Sequence, residues 1–128
     1  MAAINDANFF APGKVVYHVY GHLIPSCDID IQKHVQKYIC LSTASDDTEF
    51  RKVQIKREAS DGHTFTSNMY LGDVGIVEPG RNPHNLNRVF ASMVDALEFI
   101  IQIQTNMMDI PWDHKQLKYY RTMDIDGW

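Results

Sequence analysis

Hydrophobic residues recur at helical spacing between Asn82 and Met108, which is the most regular pattern in the chain. With one residue placed about every 100°, eight apolar residues fall on the same side as Leu86. They are Val89, Phe90, Met93, Leu97, Ile100, Ile101, Met107 and Met108. Asn82 suits the cap position and Pro83 suits the first turn. The pattern therefore predicts one long helix from Asn82 to Met108.

The second half of this predicted helix carries more apolar surface than one sheet would cover. Phe99 and Ile103 fall outside the apolar stripe, so the apolar arc widens there. A helix that is apolar most of the way round is usually covered on more than one side. Either the rest of the chain or a second copy would cover Phe99 and Ile103, which makes both residues interface candidates.

The residues before the helix alternate between apolar and polar positions and are rich in β-branched and aromatic side chains, which predicts strands. The predicted strands are Lys14–Ile24, Val35–Thr43, Glu49–Arg57 and His63–Leu71, with a short extended piece at Val74–Val77. Asp61-Gly62 is a hairpin signal. Residues 25–36 fit either a short helix capped by Ser26 or a loop. The fold class is α+β: an antiparallel β-meander of four to five strands packed against one long C-terminal helix, followed by an aromatic-rich tail.

The tail after the helix is rich in large aromatic side chains. A chain terminus is usually polar and frayed unless it is tied down, and aromatic residues are favoured at binding hot spots. We therefore expect the tail to dock on its own sheet or on a neighbouring copy. Its candidate interface residues are Trp112, Tyr119, Tyr120 and Trp128.

Composition limits the class of protein. The 128 residues, 45% hydrophobic and 22% charged, are typical of a single soluble domain spanning 1–128. The net charge of −4 argues against general nucleic-acid binding, which usually requires a basic face. The N-terminus lacks the pattern of a secretory signal, and no apolar run reaches the roughly 20 residues of a membrane span. We therefore expect a cytoplasmic protein without membrane contact, with Cys27 and Cys40 as free thiols.

No catalytic, metal or cofactor motif is present. His18 and His22 are four residues apart, but on a strand this spacing separates them by about 13 Å. They cannot share a metal ion unless Gly21 bends the chain. Cys40 lies in an apolar strand, which favours an inert, buried thiol. We therefore predict no metal and no cofactor.

Two groups of polar residues are candidates for binding a small ligand. Arg81, His84 and Asn85 gather at the start of the predicted helix, where free N–H groups and the helix dipole attract small anions. His18, His22 and Tyr20 would add polar contacts in a pocket between the sheet and the helix. A set of basic residues on the strands would also suit phosphate, although solvated strand faces explain it better. That set is Lys33, Lys37, Arg51, Lys52, Lys56 and Arg57.

Three functional hypotheses follow. The first is a small non-enzymatic binding protein that acts through protein–protein contact, as an inhibitor, immunity-type or accessory factor, and self-associates as a homodimer or larger assembly. The second is a small-molecule or nucleotide/anion-binding protein with a pocket between sheet and helix. The third is an enzyme using histidine acid–base chemistry, which needs two histidines in one cavity. The absence of catalytic motifs favours a non-enzymatic role.

Overall fold

The structure, a computed structural model, describes residues 3–21, 24, 29–46, 50–59, 61–77 and 85–105. Its strands are β1 (Val15–Tyr20), β2 (Val35–Cys40), β3 (Lys52–Glu58), β4 (Thr64–Tyr70) and β5 (Asn87–Phe90), and α1 (Met93–Thr105) follows them. The strands form a five-stranded antiparallel sheet in the order β4-β3-β2-β1-β5. The predicted α+β fold class is confirmed, and the aromatic-rich tail lies outside the described residues.

The first four strands form the predicted meander. β3 and β4 pair along their whole length, and the predicted Asp-Gly turn joins them. Gly62 has a φ of +87°, which glycine adopts without the steric penalty of a side chain. The Ala59 N–H donates to the carbonyl oxygen of His63 at 2.7 Å. Turn chemistry and alternation therefore located this hairpin correctly.

The predicted helix from Asn82 to Met108 is wrong in its first part. Residues 87–90 form β5, which pairs with β1, and α1 begins only at Met93. Val89 packs in one hydrophobic core and Phe90 in the other, because successive residues of a strand point to opposite faces. Two adjacent buried residues also fit a helical stripe, which is why the periodicity extended the helix too far.

Ser92, not Asn82, caps the helix. The Ser92 hydroxyl accepts a hydrogen bond from the Asp95 N–H at 3.2 Å, and its carbonyl oxygen accepts one from the Ala96 N–H at 3.2 Å. These bonds satisfy amide groups that the first turn of a helix leaves without partners. The predicted cap, Asn82, lies outside the described residues.

The sheet carries a hydrophobic core on each face. On the face that α1 covers, the core contains Val19, Ile24, Phe90, Ala96, Phe99, Ile100 and Ile103. On the opposite face, which we call the distal face, it includes Val16, Tyr38, Cys40, Val53, Ile55, Met69, Leu71 and Val89, with Ile4 and Phe10. An interior strand buried on both faces is what the sequence predicts for β1, and β1 lies between β2 and β5.

Phe99 and Ile103 lie in the core of the chain itself, with exposed fractions of 4% and 0%. The Phe99 ring packs on Phe90 with centroids 5.1 Å apart. The helix is therefore rotated from its predicted orientation: Ile101, predicted to be in the stripe, is 47% exposed. The chain's own residues cover Phe99 and Ile103, which is one of the two alternatives that the sequence left open.

Short 3₁₀-helices occupy parts of two segments whose structure the sequence left uncertain or predicted as extended. The extended piece predicted at Val74–Val77 does not begin at Val74, because a 3₁₀-helix occupies Leu71–Val74 and Gly75 closes it with a φ of +85°; Ile76 and Val77 belong to no strand. The ambiguous segment 25–36 contains a 3₁₀-helix at Ile31–His34. Cys40 is a free, buried thiol as predicted, and burial raises its pKa. Cys27 lies outside the described residues.

Candidate functional site

A cavity of about 440 Å³ opens on the distal face, beyond the apolar core. Its lining includes His18, Tyr20, Gln36, Tyr38, Arg57, Asn85 and Asn87. The sequence predicts His18 and Tyr20 in a pocket between the sheet and the helix, whereas this cavity lies on the other face of the sheet. His18 and Tyr20 alternate with Val19, which α1 covers, so they point to the other face.

The strands produce this cavity because their distal-face residues change from apolar to polar along the sheet. β1 presents Val16 and then His18, and β5, which runs antiparallel to it, places Val89 opposite His18 and Asn87 opposite Tyr20. On β2, Cys40 and Tyr38 are buried and Gln36 is half-buried. The apolar end is filled by the core, and the polar end remains open as the cavity.

His18 and Tyr38 form the buried polar centre of the cavity. His18 is 3% exposed and Tyr38 is 6% exposed. The Tyr38 hydroxyl donates to Oε1 of Gln36 at 2.8 Å and lies 3.5 Å from Nδ1 of His18. A phenol has one proton to donate, and the Tyr38 proton goes to Gln36, so we assign the imidazole proton of His18 to Nδ1. Nε2 is then an acceptor, and it has no partner among the described residues.

Burial keeps both groups uncharged near neutral pH. Desolvation lowers the pKa of His18 from 6.5 to about 4, because a buried imidazolium loses its hydration. Desolvation also raises the pKa of Tyr38; repulsion from Tyr20 and a hydrogen bond with it raise the pKa further, and the positive charge of Arg57 opposes the shift. The cavity therefore offers the neutral imidazole of His18 and the neutral phenol of Tyr38.

The turn before β5 forms another wall of the cavity. The Asn85 side chain donates to the carbonyl oxygen of Asp73 at 3.0 Å and accepts from the Asn87 N–H at 3.0 Å. Arg88 donates to the carbonyl oxygens of Asn85 and Asn87, at 2.9 and 2.6 Å. Because both ends of the Asn85 amide are engaged, its main role is to hold the wall in place.

Three of the six predicted ligand residues meet in this cavity. His18, Tyr20 and Asn85 all line it. The other three, Arg81, His84 and His22, lie outside the described residues, as do the predicted interface residues Trp112, Tyr119, Tyr120 and Trp128.

Histidine acid–base catalysis needs two histidines in one cavity, and one of the described histidines lines this cavity. His18, His34 and His63 are the described histidines, and only His18 lines the cavity. His63 lies in the β3–β4 turn, where it pairs with Asp61 at 2.8 Å. No group of three or more histidine, cysteine or carboxylate side chains in the described part of the chain is placed to hold a metal ion.

Sequence reasoning missed Gln36, Tyr38, Arg57 and Asn87 as cavity residues. Tyr38 and Gln36 alternate along β2, and Arg57 follows Ile55 on the same face of β3. This alternation was visible, but the strand order that places β1, β2 and β3 side by side was not. Asn87 was assigned to a helix, which hid its position opposite Tyr20.

A known protein family matches the part of the sequence that forms the described sheet and most of α1. The family described as phage g100-like protein matches residues 4–103. The chain belongs to this family. It is a small phage protein, and the match covers the sheet and most of α1, where it ends at Ile103.

No curated protein and no solved structure matches the chain significantly. Among the described residues of this family member, no helix is long and apolar enough to cross a membrane.

Proposed function

We propose that the chain is a non-enzymatic binding protein whose cavity on the distal face holds a small, planar, uncharged polar group such as a nucleobase. The observation that carries this proposal is the His18 imidazole. It is buried and neutral, and its Nε2 acceptor has no partner among the described residues. Buried polar atoms in proteins nearly always have a hydrogen-bond partner, and a ligand N–H or O–H would supply one.

The remaining lining suits a planar ligand. Tyr20 is 38% exposed, so part of its ring is accessible from the cavity. Amide side chains both donate and accept, as do the edges of nucleobases, and Gln36 and Asn87 bring amides to the lining. The volume of about 440 Å³ lies in the range of small-ligand sites.

The test is an NMR titration of the isotope-labelled, 128-residue chain with adenosine, cytidine, guanosine and thymidine. We expect at least one nucleoside to give saturable shifts of the His18 ring and of the Gln36 side-chain amide. Val94, which is 64% exposed on α1, serves as a remote reference and should not shift. Absence of a response at His18 with all four nucleosides would refute a nucleobase as the ligand.

A matched pair of variants separates stacking in the cavity from general contact with exposed rings. Tyr20→Ala removes a cavity ring, and we expect it to weaken nucleoside binding by about tenfold, since stacking of a base on an aromatic ring contributes about 1–3 kcal/mol. Phe50→Ala removes a ring that is 68% exposed and does not line the cavity. Equal losses in the two variants would contradict the proposal.

A second candidate function, protein–protein contact with another copy, is favoured by β4. This strand is at the edge of the sheet, and all its residues except Met69 are exposed. Charged residues and prolines usually protect an open edge strand from pairing with another chain. The sequence of β4, TFTSNMY, contains neither. The other edge, β5, is shorter, and the Ile4 N–H donates to the carbonyl oxygen of Val89 there at 2.9 Å.

We propose that a second copy adds antiparallel to β4 when the chain self-associates. The test is light scattering coupled to size-exclusion chromatography, with wild type expected as a dimer and Thr66→Glu as a monomer. In a pair centred on Ser67, the two introduced carboxylates would lie diagonally on one face and repel each other. Within one chain the substitution faces Lys56, so folding should be retained. A wild-type monomer at high micromolar concentration would refute this candidate.

A further inference from the structure

A second concave surface, which we call the basic groove, lies beside the cavity. It has a volume of about 630 Å³, and its lining includes Lys33, Lys37, Lys56 and Arg57, with Glu58 as the carboxylate in it. Four basic side chains and one acidic side chain make this surface positive, although the whole chain has a net charge of −4. A local field of this sign attracts anions and, above all, phosphate groups.

Two lysines in the groove have no charged partner in the part of the chain that the structure describes. Lys37 is exposed and Lys56 is half-buried. Neither forms an ion pair or a side-chain hydrogen bond with any residue that the structure describes. Lys37 pairs with Tyr17 and Lys56 pairs with Ile39, so both lysines lie on the face of the sheet that α1 covers. Because they lie on adjacent strands and on one face, both ammonium groups can contact a single anionic ligand.

The groove meets the cavity at Gln36 and Arg57, which line both. The ladder between β2 and β3 pairs Cys40 with Ile55 and Ile39 with Lys56 and extends no further toward Gln36. The β1–β2 ladder, in contrast, continues to Val35. The end of β2 therefore lacks a paired neighbour on one side, at the place where the two concave surfaces join. The lining of the groove includes residues of both faces, Gln36 and Arg57 from the distal face and Lys37 and Lys56 from the face of α1. A ligand that extends from the cavity to the lysines therefore passes through this gap between β2 and β3.

We propose that the basic groove binds the phosphate of a nucleotide whose base occupies the cavity, so that the ligand class is a phosphorylated nucleoside, free or within a single strand of nucleic acid. This inference rests on the proposed function for the site of the base. Lys37 and Lys56 neutralise the phosphate, and Arg57 lies where base and phosphate are joined. A guanidinium group can donate two parallel hydrogen bonds to a phosphate.

The experiment compares the affinities of thymidine, thymidine 5′-monophosphate, a ten-nucleotide oligothymidylate and inorganic phosphate for the 128-residue chain, by calorimetry at low salt. The other nucleosides and their monophosphates are used instead if one of them binds better in the NMR titration. We expect the monophosphate to bind about tenfold tighter than its nucleoside, because two charge-assisted contacts are added. Tighter binding of the oligonucleotide than of the monophosphate would identify a strand as the source of the phosphate, and equal binding would identify the free nucleotide.

The double variant Lys37→Gln/Lys56→Gln should remove the tenfold gain and leave nucleoside affinity unchanged. The control is Lys52→Gln, which makes the same change on the same face of β3 but outside the groove. If wild type binds the nucleoside and its monophosphate with equal affinity, phosphate binding in the groove is refuted and base binding in the cavity is not. An equal loss in the control would overturn it as well. Lysine-dependent binding of the oligonucleotide or of inorganic phosphate without any nucleoside binding would support the groove and refute the cavity, and no binding of any probe would refute both.

Discussion

The Tyr38 ring stacks on the buried imidazole of His18, with ring centroids 5.3 Å apart and planes inclined by 18°. This contact, together with the hydrogen bond from Tyr38 to Gln36, places an uncharged imidazole at the centre of the cavity. Desolvation by the surrounding residues, rather than a charged neighbour, lowers its pKa. The stability of the fold and the chemistry of the cavity therefore depend on the same protonation equilibrium.

The free energy of unfolding should decrease as the pH falls from about 6.5 to about 4. His18 has a pKa of about 4 in the fold and an ordinary value of 6.5, so between these values the unfolded chain binds more protons than the folded chain. Linkage then makes the folded state less stable at lower pH, by on the order of 3 kcal/mol in total. Urea unfolding at a series of pH values measures this dependence.

The matched variant for this measurement is His18→Asn, which cannot titrate in this range. We expect its stability to depend much less on pH than that of wild type. Exposed histidines such as His63 remain in both proteins and cancel in the comparison. An unchanged pH dependence in the variant would show that His18 is not the buried group responsible.

Gly21→Ala should destabilise the fold by about 2 kcal/mol or more, since overpacking forces neighbouring atoms apart. A Cβ atom at Gly21 would lie 2.3 Å from the Leu86 carbonyl oxygen and 2.9 Å from Cδ1 of Ile103. The control is Gly72→Ala, where a Cβ meets nothing within 4 Å. Thermal unfolding of the two variants measures the difference, and similar melting temperatures would contradict the close packing of Gly21 on Leu86.

Ile103→Ala should cost about 2–5 kcal/mol, the range for large-to-small changes in a core. Ile103 is fully buried, whereas Ile101 on the same helix is 47% exposed. We expect Ile101→Ala to change the free energy of unfolding by about 0.5 kcal/mol or less. Chemical denaturation of both variants tests the orientation of α1. A larger loss of stability in Ile101→Ala than in Ile103→Ala would contradict this orientation and support the one predicted from the sequence, in which Ile101 lies in the buried stripe.

The strands were predictable because alternation and turn residues are local signals. Val53 and Ile55 alternate with polar neighbours, and both are buried. The limit of such signals is clear at Val89 and Phe90. Their spacing from Leu86 and Met93 fits a helix, but pairing with β1 and burial on both faces make them a strand. Tertiary contacts of this kind decide the structure of short apolar segments, and periodicity alone does not contain them.

The candidate site was only partly predictable for the same reason. His18 and Tyr20 stand out in the sequence as polar and aromatic residues in a strand. Gln36 does not, and Arg57 stands out only as one of the basic residues, because the positions of both in the cavity depend on β2 and β3 lying next to β1. The face on which His18 and Tyr20 lie also depends on where α1 packs, because α1 covers Val19 and leaves its neighbours His18 and Tyr20 on the distal face.

The most direct test of the proposed function is a set of intermolecular nuclear Overhauser measurements on the 128-residue chain saturated with the nucleoside that binds best. We predict contacts from the protons of the base to the rings of His18 and Tyr20. Contacts confined to residues outside the cavity, or none at saturation, would contradict binding of the base in the cavity.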